Sequence, residues 1–432
     1  MSVTLLLILV VIFSFVVGHY VTQYLSRYVM LSGAEYLLVG VLIGPQFAPH
    51  LLSAETLDLL QPVVSLLLGV LGFVLGLRAR SAFRRWAVAP AAMLTALGVV
   101  AALTAAFVPL AARLVDFKDS RPDFVIHREL MRMGDQVLEI HFASQHLYLA
   151  LLLAAAGCVA STAIVTSVRE RFVANGRIAE YLGTTATASQ LLAVVVLGLV
   201  LVGDRANGST GASTDLGLLE WEALAAGCGI VCGLLFSLFI GAESDLRRLF
   251  LASVGAMIFA AGIGTALDIS PLFVNLFAGI TVAVISPHEA RLRQELGRLE
   301  HPLFVLIMIF GGAMWVPVSG WLWLFPVAYV VARYVALRLF ARVATRALIR
   351  PPMRTARVGN GLLAQGALAV AIGVNVVQSS TEQGSVVLTT VILGTLASDL
   401  WSIRALRTVL ADAGEITGDA VGDLEVPMEE IA

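Results

Sequence analysis

Charge is the scarcest thing in this sequence. Only 13% of its 432 residues are Asp, Glu, Lys or Arg, about half the share usual in a soluble domain. Lys118 is the one lysine, and the formal net charge is −2, so no basic surface suggests a nucleic-acid partner. The three cysteines, Cys158, Cys228 and Cys232, all fall in apolar runs and make no disulfide framework. Cys228 and Cys232 are four apart, on one face of a helix, where small residues serve packing. The N-terminus has no basic run and no small-residue cleavage site behind it, so Met1-Ser-Val-Thr-Leu-Leu-Leu reads as a first span and not a removable signal. No nucleophile–base pair, phosphate loop or metal motif occurs within the apolar stretches, so neither an enzyme nor a cofactor nor a metal is indicated.

What is present is hydrophobic: 59% of the residues, with a mean hydropathy of +0.90. Apolar runs of near-spanning length recur along almost the whole chain, which predicts an all-α polytopic membrane protein. Thirteen spans are expected, near 3–27, 35–49, 57–78, 86–115, 146–168, 180–203, 219–241, 247–267, 270–287, 301–316, 320–346, 358–378 and 384–409. Several are short or marked by Gly and Pro, notably Gly40 to Pro45, Gly157, and Gly359, Gly361 and Gly366.

The arginines orient these spans. Arg78, Arg80, Arg84 and Arg85 follow the third, and Arg169, Arg171 and Arg177 the fifth. Arg247 and Arg248 follow the seventh; Arg291, Arg293 and Arg298 the ninth. Arg342, Arg346, Arg350, Arg354 and Arg357 follow the eleventh, and Arg404 and Arg407 close the thirteenth. Each cluster ends an odd-numbered span, so those ends are expected in the cytoplasm, the N-terminus outside and the C-terminus inside. With the seventh span as connector, the six spans on either side enter the membrane in opposite senses. That is an inverted repeat, and the Gly-interrupted fifth and twelfth spans hold equivalent places in it. Paired interrupted helices of this kind point to a binding site at the bilayer midplane.

The sixth span carries a polar cluster: Thr184, Thr185, Thr187, Ser189 and Gln190. Polar groups at that depth either line a pathway or bond neighbouring helices. No Asp or Glu lies between Leu182 and Gly203. Residues 116–145, with His127 and His141 and with His146 just beyond, read as an amphipathic helix on the outer face. Residues 204–218 read as a flexible loop, and the stretch after Arg407, with seven acids and no base, as a mobile acidic tail. Glu35, Glu220, Glu222 and Asp268 fall near span ends, where interfacial placement is expected, and Trp315, Trp321 and Trp323 fit an aromatic belt. His301 beside Pro302 reads as a helix start.

Several of these segments resemble a known family. Tyr36-Leu-Leu-Val-Gly-Val-Leu-Ile-Gly-Pro45 and Ser161-Thr-Ala-Ile-Val165 are similar to signatures of the cation:proton antiporter superfamily, in its bacterial sodium/proton and potassium-efflux branch. So are Phe273-Val-Asn-Leu-Phe-Ala-Gly-Ile-Thr-Val-Ala-Val284, His301-Pro-Leu-Phe304, Gly361-Leu-Leu-Ala-Gln-Gly-Ala-Leu-Ala-Val-Ala371 and Leu396-Ala-Ser-Asp-Leu400. The match runs in order over about residues 1–410. It implies two inverted six-helix repeats with crossed broken helices. It also implies dimerisation helices at 1–80 and 247–316, a core at 86–203 and 320–409, a linker helix at 219–241 and an acidic cytoplasmic tail at 410–432. The implied partners are a monovalent cation, a proton, the lipid bilayer and a second copy of the chain, in a bacterial-type inner membrane. The implied pathway takes in Ser161, Thr162, Thr184, Thr187, Ser189, Gln190, Arg333, Gln365, Gly366 and Asp399.

One position departs from the family. Its members carry a cation-binding aspartate on the sixth span, and counting from Thr162 the matching position here is Gln190. An amide does not titrate, so it cannot release a proton when a cation arrives. Two readings stay open: a transporter whose coupling lies elsewhere, for example at Asp399 or beside Arg333, or a transporter-fold protein that serves as a leak, a sensor or a partner subunit.

Overall fold

The computed structural model describes residues 33–47, 52–83, 87–115, 145–206, 218–240, 246–349, 357–379 and 381–416. Among these every regular element is helical: α1 (Ala34–Ile43), α2 (Ala54–Phe83), α3 (Ala89–Leu114), α4 (Gln145–Cys158), α5 (Thr162–Arg171), α6 (Arg177–Ala206), α7 (Leu218–Ile240), α8 (Leu246–Ala266), α9 (Pro271–Ile285), α10 (Glu289–Gly297), α11 (Glu300–Ala313), α12 (Leu324–Leu348), α13 (Ala367–Ser379) and α14 (Thr381–Asp412). Short 3-10 turns at Gly320–Trp323 and Val358–Leu362 precede α12 and α13. Twelve of the thirteen expected spans fall on these elements. The first lies outside the described residues, as do most of the external segment 116–145 with His127 and His141, and the loop beyond Ala206. His146 is bonded to the Val115 carbonyl at 3.1 Å.

Two spans are interrupted. The fifth is α4 and α5 with residues 159–161 between them; the twelfth is the second 3-10 turn and α13 with residues 363–366 between them. The local chemistry explains both. Ser161 is extended (φ −75°, ψ 113°) and its hydroxyl accepts from Ile164 N, an N-cap that starts α5 afresh. Gly366, immediately before α13, has φ +70°, a left-handed conformation that glycine adopts without steric cost. The fold is therefore that of two inverted six-helix units, each with an interrupted helix in its fifth place.

The flanking helices pack through small residues. A β-carbon on Gly40 would collide with the Ile309 carbonyl, and one on Gly312 with that of Leu37. Gly72 and Gly76 bring α2 equally close to α9, as expected where dispersion and not the hydrophobic effect drives association. The polar α10 buries only Leu292 and Leu296, four apart, before the chain bends by 50° into α11.

Two expectations are corrected. Glu35 is not interfacial: it is 6% exposed, its carboxylate set against the backbone amides of Gly33 and Glu35, which carry the positive end of the α1 dipole. The chain after Arg407 is not all tail. α14 runs on to Asp412, and Glu415 then turns back so that its carboxylate accepts from Ile178 N at 2.7 Å and Ala179 N at 2.9 Å. These are unpaired donors of the first turn of α6. Arg407 lies over the Phe172 ring, 5.6 Å from its centroid, beside the same turn. The Glu415→Ala variant should lose a cap worth about 1 kcal/mol, so the amides of Ile178 and Ala179 should exchange with deuterium about fivefold faster. Asp412→Ala, at an exposed position, should leave that rate unchanged.

Candidate functional site

The two interruptions meet. Ser161 N donates to Ala364 O at 2.7 Å, and a β-carbon on Gly366 would lie 3.0 Å from Ser161 Oγ. Two half-helices thus end at this point and two begin. Each end leaves carbonyls and each start leaves amides without intrahelical partners, and membrane depth offers no water to satisfy them.

Arg333 takes the ends. It stands on α12 with 1% of its surface exposed. Its Nε donates to Gly157 O at 2.8 Å and its Nη2 to Val159 O at 2.8 Å, both at the end of α4. Nη1 donates to Leu363 O at 2.7 Å, and Nη2 also to Leu362 O at 3.1 Å, both at the end of the 3-10 turn. The planar fork therefore joins two chain segments, and its positive charge faces the negative ends of both dipoles.

Asp399 takes one of the starts. Its Oδ1 accepts from Gln365 N at 3.1 Å, ahead of α13, where a carboxylate is favoured. Asp399 is 6% exposed and Gln365 is fully buried. The Gln365 side chain donates to Ala156 O at 3.2 Å and to Tyr329 Oη at 2.6 Å, and its own oxygen accepts from Thr395 at 3.5 Å. Tyr329 in turn packs against Phe107 with 6.2 Å between ring centroids.

The other start is treated differently. At the head of α5, Ser189 Oγ accepts from Ala160 N at 3.2 Å, and Gln190 Nε2 donates to Ala160 O at 3.0 Å. Gln190 Oε1 accepts from Thr162 Oγ1 at 3.4 Å. Thr162 Oγ1 accepts in turn from Arg78 Nη1 at 2.9 Å, and Arg78 Nη2 is ion-paired with Glu300. Where α13 begins on a carboxylate, α5 begins on an amide, a hydroxyl and a guanidinium.

Of the residues expected from sequence, Ser161, Thr162, Ser189, Gln190, Arg333, Gln365, Gly366 and Asp399 converge on the crossing. Thr184 and Thr187 do not bond to it: their hydroxyls donate to Glu180 O at 2.9 Å and Gly183 O at 3.0 Å in their own helix. Sequence reasoning missed Arg78, which was read as one of a cytoplasmic cluster, together with Glu300 and Tyr329. One signal was available for Arg78, since it is the first arginine of its cluster and so the deepest along α2. Among the described residues no three His, Cys, Asp or Glu side chains gather as a metal site.

This helical fold, with its two interrupted helices, is shared with a solved sodium proton antiporter. The structure of the sodium proton antiporter MjNhaP1 from Methanocaldococcus jannaschii at pH 8 is similar to this one, with a TM-score of 0.63 and 13% identity over 95% of this chain and 100% of that one. An electron-microscopy map of the same antiporter gives a TM-score of 0.61 at 13% identity, over 95% of this chain and 99% of that one. No family model and no curated protein matches the sequence. At that identity the likeness establishes the fold.

Arg333→Gln should be severely destabilising. It leaves several buried carbonyls short of a donor, at roughly 1–3 kcal/mol for each unsatisfied group. Arg333→Lys should rescue little, since one ammonium does not reproduce a fork spread across two chain segments. Thermal unfolding of the detergent-solubilised protein measures both, and a wild-type midpoint in either variant would contradict this role.

Proposed function

We propose that the protein is a secondary transporter of the cation:proton antiporter type, acting on a monovalent cation, in which the sixth-span carboxylate has been given up. The observation that carries this reading is the crossing itself. Arg333 and Asp399 hold fixed charges at midplane against half-helix ends, while the Thr162 and Gln190 oxygens stand beside the one half-helix start that no carboxylate touches. Crossed breaks are costly to bury and are favoured where a substrate must be met at membrane depth. Helices in 86–203 and 320–409 would form the moving core, and those in 1–80 and 247–316 the scaffold and the homodimer contact. The segment 219–241 would link them, in a bacterial-type inner membrane with the C-terminus, including 410–432, in the cytoplasm.

One observation favours a second reading, a transporter-fold protein that no longer exchanges and serves as a leak, a sensor or a partner subunit. Both ends of the Gln190 amide are engaged, with Ala160 O and Thr162 Oγ1, and neither end titrates.

Proteoliposomes loaded with a pH dye decide between them when sodium, potassium or lithium is jumped outside. An ion-dependent change of internal pH, or uptake of the labelled cation, is expected of the wild type. A signal only in Gln190→Asp would support the non-exchanging reading, and no signal in either would exclude exchange of these ions.

A further inference from the structure

The start of α5 is not empty of charge; its charge has the wrong sign for a cation site. The two arms of one guanidinium make the contacts there, Arg78 Nη1 to Thr162 Oγ1 at 2.9 Å and Arg78 Nη2 to Glu300. The Glu300 carboxylate is therefore one guanidinium's width from Thr162, and through it from the Gln190 oxygen. Three helices contribute to this group: α2 brings Arg78, α11 brings Glu300 and α5 brings Thr162, with α6 behind them. The pair is half-buried, its side chains 27% and 26% exposed. Thr162 and Gln190 offer neutral oxygens that can ligate a dehydrated cation but cannot balance its charge. An added carboxylate oxygen completes a hard-ligand set, and among the described residues Glu300 is placed to supply it.

We propose that Glu300 is the carboxylate of the ion site and Arg78 its tethered counter-cation. An incoming monovalent cation then reaches the Thr162 and Gln190 oxygens by displacing the guanidinium from Glu300. One positive charge then takes the place of another beside the Glu300 carboxylate. The inference deepens the transport reading and rests on it; the test is a binding measurement, so its failure is distinct from a failure of transport.

The full-length protein is purified as wild type, Arg78→Gln, Arg78→Lys and the double variant Arg78→Gln/Glu300→Gln. Thermal unfolding is then titrated with sodium, potassium and lithium chloride, with choline chloride holding the ionic strength constant. Removal of the tethered charge should lower the apparent Kd of Arg78→Gln for at least one cation by about tenfold or more relative to wild type, since a charge-assisted bond no longer competes. The double variant should lose the response. No gain in Arg78→Gln, or a gain that survives in the double variant, overturns the proposal. If Arg78→Gln does not purify as a folded species, Arg78→Lys decides. Its ammonium does not bridge Glu300 and Thr162 with two rigid arms, so a smaller gain in the same direction is expected, and an unchanged Kd overturns the proposal.

Discussion

Backbone groups inside a membrane must be bonded by the protein itself, and a helix broken at midplane violates that requirement twice. Arg333 resolves the carbonyl half of the problem for both breaks at once, by taking Gly157, Val159, Leu362 and Leu363 on a single guanidinium. Much of the rest of the site follows from its position. Its fork holds the ends of α4 and the 3-10 turn together. The Ser161–Ala364 bond then ties the two segments directly. A buried arginine is expensive unless every donor is used and its charge is balanced; here the balance comes from two dipole ends, with Asp399 close by on the far side of Gln365.

The asymmetry between the two starts is where the site acquires a character of its own. A carboxylate before α13 stabilises that half-helix and fixes a negative charge. Before α5 the same electrostatic need is met at second hand, by Glu300 acting through Arg78. The negative charge lies on α11 instead of on α6, and the Arg78 side chain holds it. Gln190 suits such an arrangement because its amide donates to Ala160 O while its oxygen accepts from Thr162. An ionised aspartate there would leave the Ala160 carbonyl facing an acceptor.

Much of this was legible in the sequence because the physics is local. Hydropathy marked twelve spans, which cover thirteen of the fourteen helices described; arginine clusters ordered them, and Gly157, Ser161 and Gly366 marked the breaks. Arg333 came from the family resemblance, at a position well inside the expected span 320–346. The features that escaped depend on residues far apart in the chain. Arg78 and Thr162 are 84 residues apart and Ile178 and Glu415 are 237, and no periodicity reports such a meeting. Thr184 and Thr187, which residue type placed among the polar cluster, each donate to the carbonyl four residues back in their own helix. Glu35 looked interfacial from its place in the sequence and is buried, with the backbone amides of Gly33 and Glu35 beside its carboxylate but its Oε2 without a partner.

The dependence of the crossing on Arg333 is tested most directly by chemical cross-linking across it. Cysteines at Ser161 and Ala364, in a background with Cys158, Cys228 and Cys232 replaced by alanine, are treated in membranes with an oxidant or a short bifunctional thiol reagent. The pair should link rapidly with Arg333 present and much more slowly with Arg333→Gln. An equal rate in both backgrounds, or no link in either, would contradict the role assigned to this arginine.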